Sequence, residues 1–141
     1  PKDSETLLVD PISGDLYVLT KRESKNTLYK AAKDLLIDGN TVELEKVLQL
    51  PVTLSVGGDI SADGSQVLIK NYWVIYYWSR IEGETLEETL SRKAKLLPYE
   101  PEPQGEAIAF EPEGETYFTL SEKKLRINPV LYRYDKAQAE D

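Results

Sequence analysis

The chemistry open to this chain is set by the reactive side chains it contains. Its 141 residues include no histidine and no cysteine, but 25 aspartates and glutamates and 17 lysines and arginines. A Ser-His-Asp triad, a histidine metal site and a thiolate nucleophile are therefore excluded within these residues. Catalysis by this chain would have to use carboxylates, lysine, tyrosine, serine or a hard metal ion bound by oxygen atoms.

Three acids are the candidate metal ligands, because each lies at or near the start of an apolar segment. They are Glu5, Asp59 and Glu106. If these segments are neighbouring strands, carboxylate oxygens converge from several of them, an arrangement that suits Ca²⁺ or Mg²⁺. The alternative, which we favour, is that the acids accept hydrogen bonds from backbone amides of neighbouring strands. The cofactor therefore stays open between none and Ca²⁺ or Mg²⁺.

Glu106 is the first choice for a ligand-binding residue. It follows Gln104 and Gly105, and a glycine there lets the backbone approach a neighbour or a ligand closely. Gln104 and Glu106 then present polar groups just before the apolar run 107–110. The predicted ligand-binding set is Glu106, Gln104, Asp59 and Glu5, and no catalytic residue is assigned.

The elements that would position these residues recur with a period of 50. Gly14, Gly64 and Gly114 each lie in a turn between two apolar stretches, and a further apolar stretch containing tyrosine follows each time. Short strands joined by glycine-centred turns at such a period predict blades of a β-propeller. The sequence thus predicts an all-β fold of three antiparallel blades, at about residues 5–50, 56–98 and 105–135, within a half-propeller spanning 1–136. Residues 137–141 are predicted to be a flexible tail.

The strand pattern predicts an incomplete last blade. Blades one and two each have room for four strands, whereas blade three stops after its third, around 130–134. Three blades do not close a ring, because propellers have four to eight. We therefore expect half of a six-bladed propeller whose last blade is completed by a strand from elsewhere. The partner would be a second polypeptide, the other half of a precursor, or a second copy of this chain. The absence of methionine and the first residue, Pro1, lead us to expect either a processed chain or a piece of a longer one.

Two other groups of residues have a structural and a functional interpretation. The aromatic run 72–78 could stack a planar ligand, but packing between blades is the favoured interpretation. The turn acids, Asp63 among them, resemble a calcium loop only superficially, because the Asp-x-Asp-x-Asp spacing of an EF-hand is absent. Turn formation explains them better.

Four segments of the sequence resemble one propeller family. They are Leu7–Lys21, Gly58–Gly64, Gln104–Phe110 and Leu131–Tyr134. Together they look like the three C-terminal blades of TolB-like, PD40-type six-bladed propellers, with Ala62 where the turn usually carries proline. The resemblance implies a secreted or membrane-attached protein and, in most members, no assigned activity.

Two function classes follow. The favoured one is a non-enzymatic binding or scaffold propeller half that assembles with a partner chain into a closed ring. The alternative is a lactonase- or esterase-like hydrolase that uses Ca²⁺ or Mg²⁺ in a central-channel site shared with the other half. Nucleic acid is excluded as a partner by the net charge of −8, and no apolar run is long enough to span a membrane. An extracellular location is expected from the resemblance.

Overall fold

The computed structural model describes residues 2–124 and 126–135, and its strands form three antiparallel sheets. The fold is all-β apart from one 3₁₀ turn and one short helix. The elements are β1 (Ser4–Val9), β2 (Leu16–Thr20), β3 (Thr27–Ala31), the 3₁₀ helix (Lys33–Leu35), β4 (Glu45–Gln49), β5 (Gly57–Ile60), β6 (Gln66–Lys70), β7 (Ile75–Ser79), α1 (Leu86–Ser91), β8 (Lys95–Leu97), β9 (Gly105–Phe110), β10 (Thr116–Ser121) and β11 (Tyr132–Asp135).

Each sheet follows the order of the chain, as expected of a blade. Blade one is β1-β2-β3-β4, blade two is β5-β6-β7-β8 and blade three is β9-β10-β11. The first strands of the three blades are neighbours, and two glycines allow their close approach. A Cβ atom on Gly57 would lie 2.5 Å from the carbonyl oxygen of Glu106, and one on Gly58 would lie 3.0 Å from the side chain of Thr6. These positions therefore require glycine.

The predicted glycine turns are present in all three blades. Gly14, Gly64 and Gly114 have φ angles of 79°, 75° and 73°, in the left-handed region that favours glycine. Each joins the first strand of a blade to the second. The period of 50 residues in the sequence thus corresponds to one structural repeat, as predicted.

The hydrophobic core consists of two interfaces between neighbouring blades. Between blades one and two, Leu19 and Leu28 pack in one cluster with Val67, Ile69 and Trp78. Between blades two and three, a second cluster contains the side chains Leu68, Ile75, Ile108 and Tyr117. Because β6 contributes to both clusters, its apolar residues form a continuous run rather than an alternating pattern.

Helix α1 belongs to the first interface. Its Leu86 and Leu90 are buried in the cluster between blades one and two. The helix begins with a capping box: the Thr85 hydroxyl accepts from the backbone N–H of Glu88, and the Glu88 carboxylate accepts from that of Thr85. No helix among the described residues is long and apolar enough to cross a membrane.

The two outer surfaces of the three-blade arc are apolar and uncovered, and we call them the open faces. On blade one, Leu7 and Val9 are 59% and 56% exposed, because the alternating Thr6 and Leu8 point towards blade two. On blade three, Leu120 is exposed, while the alternating Thr119 is buried. The same faces carry the cross-strand neighbours Leu16, Val18 and Tyr29 on blade one, and Ala107, Ala109 and Phe118 on blade three.

Strand boundaries differ from prediction mainly at the outer strands. The alternation of apolar and polar residues over 41–50 predicts the outer strand of blade one there, but β4 covers only Glu45–Gln49, after a turn at Gly39. Blade three has three strands within the described residues, consistent with the predicted lack of a fourth. The tail predicted at 137–141 lies outside the described residues.

Candidate functional site

Two of the predicted ligand-binding acids belong to one hydrogen-bonded chain that connects all three blades. We name its members, Glu5, Lys21, Tyr72 and Glu106, the inner-strand cluster. Lys21 Nζ donates to Glu5 Oε2 at 2.6 Å and to the Tyr72 hydroxyl at 2.8 Å. The Tyr72 hydroxyl in turn donates to Glu106 Oε1 at 2.8 Å. This chain of hydrogen bonds runs from blade one through blade two to blade three, at the end of each blade where its first strand begins.

The strands explain how these side chains meet. Glu5 lies at an irregularity in the pairing of β1 with β2, between Ser4 and Thr6. Lys21 directly follows β2 and Tyr72 follows β6, so both come from the ends of second strands that pair with the first strands. Glu106 lies on β9 itself. Lysine and tyrosine are long enough to bridge the gap between blades.

Lys21 supplies the positive charge of the cluster. Its side chain is only 7% exposed. Burial alone would lower the pKa of Lys21, but the hydrogen bonds to Glu5 and Tyr72 outweigh burial and raise it above its ordinary value. The lysine therefore stays protonated at neutral pH and neutralises Glu5.

Asp59 is not part of the inner-strand cluster, and its hydrogen bonds are to backbone amides. Its Oδ2 accepts from the backbone N–H of Phe110 at 2.7 Å, and its Oδ1 accepts from that of Ile60 at 2.9 Å. Asp59 thus ties β5 of blade two to β9 of blade three. Burial raises the pKa of Asp59, and the two backbone N–H groups partly offset that rise.

Among the hydrogen bonds of the described residues, none joins Gln104 to Glu5 or to Asp59. It lies in the turn before β9 with a φ of 58°, and its backbone carbonyl accepts from Glu122. Its side-chain oxygen lies 3.4 Å from Nζ of the exposed Lys124.

The predicted metal ligands do not form a metal-binding group in this structure. Glu5 is paired with Lys21, Glu106 with Tyr72 and Asp59 with backbone amides. Within residues 2–124 and 126–135, no three acids come together in a way that could hold a metal ion. A divalent cation beside Glu5 would also be repelled by the Lys21 ammonium. Among the described residues, these acids therefore do not by themselves form a site for Ca²⁺ or Mg²⁺.

A second buried set of polar groups, not predicted from the sequence, surrounds Lys70. Lys70 is fully buried, and its Nζ donates to the carbonyl oxygens of Asn71 and Gly105 and lies 4.3 Å from the ring centre of Tyr99. Burial lowers the pKa of Lys70 to about 8, although the charges of Glu102 and Glu106 oppose that shift. Nearby, Glu102 is buried, and its Oε1 accepts from the Thr119 hydroxyl at 2.5 Å.

The sequence contained a weak signal for these missed residues. Lys21 and Lys70 both stand at the end of an apolar second strand, where a cation is unusual. Tyr72 was noticed only as part of the aromatic run. Their contacts could not be predicted, because each partner lies on a different blade.

Comparison of the sequence with protein-family models and with curated proteins gives no match. Solved structures are similar in fold. Hydrazine synthase of Kuenenia stuttgartiensis has a TM-score of 0.65 and 15% identity, over 94% of this chain and 34% of that chain. A chain of a nidogen/laminin complex has a TM-score of 0.61 and 14% identity, over 97% of this chain and 49% of that chain.

Both similar structures contain β-propellers, so the class of fold is a β-propeller-like one. At these identities the likeness shows the fold alone. The chain spans about a third and about half of the two chains that it matches.

Proposed function

We propose that this chain is a non-enzymatic binding or scaffold module, half of a six-bladed propeller that a partner chain completes. The observation that carries the proposal is the pair of open faces. Every contact between neighbouring blades in the arc buries large apolar side chains, yet Leu7 and Val9 on one flank and Leu120 on the other are exposed. Apolar faces of this kind normally mark an interaction surface.

In a closed propeller, such faces are covered by neighbouring blades. Further blades would pack on each open face as blades one and three pack on blade two. A strand from the partner would pair with β11, whose outer edge carries no strand among the described residues. The partner is either a second polypeptide or a second copy of this chain. Six blades of TolB-like type, and secretion, belong to the same proposal because they rest on the family resemblance.

The polar clusters support a binding or scaffold role. Each member of the inner-strand cluster is hydrogen-bonded to another member, and these bonds connect three blades. Such a network fixes the positions of neighbouring blades. The hydrolase alternative stays a prediction that would need metal ligands from outside the described residues.

Charged substitutions on the open faces test the proposal. Leu7→Glu and Leu120→Glu should each shift the protein to smaller particles in sedimentation velocity, because a carboxylate cannot be buried against an apolar blade. The matched control is Leu96→Glu, since Leu96 is 62% exposed on β8, an outer strand. Identical sedimentation of all three variants and the parent protein would refute ring completion through these faces.

A further inference from the structure

A cavity of about 590 Å³ lies between blades one and two, at the opposite ends of the first strands from the inner-strand cluster. We name it the turn-side groove. Its walls are the turn after β1, the turn between β5 and β6, and the segment from Arg80 to Glu87. Its volume is within the range of ligand-binding pockets, about 300–1,000 Å³. All three walls belong to this chain, so the groove does not depend on ring completion.

The base of the groove is held by a buried ion pair. Arg80 Nη1 and Nη2 donate to the two carboxylate oxygens of Asp10, at 2.7 Å and 3.2 Å. Asp10 also accepts from the backbone of Ile12 and the hydroxyl of Ser13, while Arg80 Nε donates to the carbonyl of Glu84. These bonds engage both oxygens of Asp10 and three of the five N–H groups of Arg80, so the pair joins the walls of the groove.

The remaining lining has excess negative charge. Beyond the Asp10–Arg80 pair, five carboxylates line the groove against one lining cation, Lys30, and Glu84 is paired with Arg92 at 2.9 Å. Lys30 is shared between Asp15 at 2.8 Å and Glu87 at 3.1 Å. Asp63 is hydrogen-bonded by Ser61 and Ser65 with no cation beside it, and these bonds lower the pKa of Asp63 to about 2. Glu82, which is exposed, makes no ion pair among the described residues.

The groove also exposes two large aliphatic side chains. Ile12 is 62% exposed and Ile81 is 59% exposed, and both line the cavity. Ile12 lies over Gly64, where a Cβ atom would be only 2.6 Å from the isoleucine side chain. Below them, the aromatic body of the buried Tyr17 and the side chain of Leu86 give apolar walls. The groove therefore combines apolar surface with uncompensated carboxylates.

We propose that the turn-side groove binds an extended segment of a partner protein in which lysine or arginine alternates with large aliphatic residues. The aliphatic side chains would pack against Ile12 and Ile81, and the cations would pair with Asp63 and Glu82. This chemistry follows from charge complementarity, since an acidic peptide would be repelled by Asp63 and Glu82, which have no ion pair among the described residues. A neutral apolar segment would partly desolvate these two carboxylates without bringing a cation to them.

Fluorescence anisotropy with defined peptides tests the proposal. The probe is a fluorescein-labelled heptapeptide of alternating lysine and leucine. Two peptides of the same length serve as comparisons: lysine with serine keeps the charge, and glutamate with leucine keeps the apolar side chains. We expect the lysine–leucine peptide to bind most tightly, with an affinity that falls as salt is added.

Variants of the groove locate the binding site. The double variant Asp63→Asn with Glu82→Gln should raise the Kd of the lysine–leucine peptide about fivefold, as expected for two screened charge pairs. Ile81→Ser should raise it about tenfold through lost apolar contact. Glu113→Gln and Leu96→Ser make similar changes at exposed positions outside the groove and should leave the Kd unchanged.

Three results would overturn the proposal. One is no binding of the lysine–leucine peptide at about 1 mM, the limit of a specific weak complex. Another is equal binding of the glutamate–leucine peptide. The third is a Kd for the groove variants that equals the Kd for the two control variants.

Discussion

At the residue scale, the main finding is how charged side chains are accommodated between the blades. Lys21 is paired with a carboxylate, and its pKa is raised. Lys70 has no ion pair among the described residues, and its ammonium is held by two carbonyl oxygens and an aromatic ring. Burial without a directly paired carboxylate lowers its pKa to about 8. The pKa values of the two lysines are therefore shifted in opposite directions.

Lys70 should make stability increase with pH in mildly alkaline solution. Its pKa is about 8 when folded and about 10.4 when unfolded. Between these values the unfolded chain binds more protons, so the free energy of unfolding rises with pH. We expect the difference between the parent protein and Lys70→Met, measured by urea unfolding, to rise by about 2 kcal/mol from about pH 7.5 to 9.5. A difference that is constant or falls would contradict the lowered pKa.

Glu106 and Tyr72 should act as one unit. Glu106→Gln is expected to lower the free energy of unfolding by about 1 kcal/mol, because it weakens the 2.8 Å hydrogen bond from Tyr72. Tyr72→Phe should cost about 2 kcal/mol, because it also removes the hydrogen bond from Lys21. The double variant should then lose about as much as Tyr72→Phe alone. The control is Glu106→Gln combined with Tyr132→Phe, whose effects should add. Additive effects for Glu106 and Tyr72 in urea unfolding would show that the bond is not formed.

At the element scale, the repeat could be predicted because its signals are local. Gly14, Gly64 and Gly114 mark turns that need positive φ, and alternating apolar residues mark the strands beside them. The outer strand of blade one was less predictable. Apolar and polar residues alternate over its predicted span, 41–50, almost as they do in a regular strand. Only Glu45–Gln49 pairs with β3.

The candidate site was predictable only in part. Glu5 and Glu106 were recognised because acids near strand starts stand out, and both belong to the inner-strand cluster. Asp59 was also recognised, and it accepts from backbone amides, one of them on the next blade, as the favoured interpretation expected. The partners Lys21 and Tyr72 lie 16 and 34 residues away from the acids they contact. Contacts over such separations depend on how blades pack, which local sequence does not specify.

The turns also connect neighbouring blades, through Asp10 and Arg80. Asp10→Asn should lower the free energy of unfolding by about 3–5 kcal/mol, because it leaves the buried Arg80 without its carboxylate. The matched control is Asp135→Asn, which removes an exposed pair with Arg133 and should cost about 1 kcal/mol or less. Chemical denaturation of both variants checks the difference. Equal losses would contradict an interblade role for the buried pair.

At the scale of the whole molecule, the three blades form a propeller-like arc with two open faces. The middle blade is covered on both sides, whereas the outer blades are covered on one. The similar solved structures are longer than this chain, which spans 49% of one of them and 34% of the other. The uncovered sides of the two outer blades are the observation on which the proposal that further blades pack against Leu7 and Leu120 rests.

Native mass spectrometry of the protein, isolated from its source under mild conditions, tests this central proposal most directly. The account predicts a complex heavier than the 16.0 kDa chain, and its mass distinguishes the two kinds of partner. Twice the chain mass would indicate a homodimer of half-rings, and a mass that is not a multiple of 16.0 kDa would indicate a second polypeptide. A stable monomer of 16.0 kDa, with both open faces uncovered, would contradict the account.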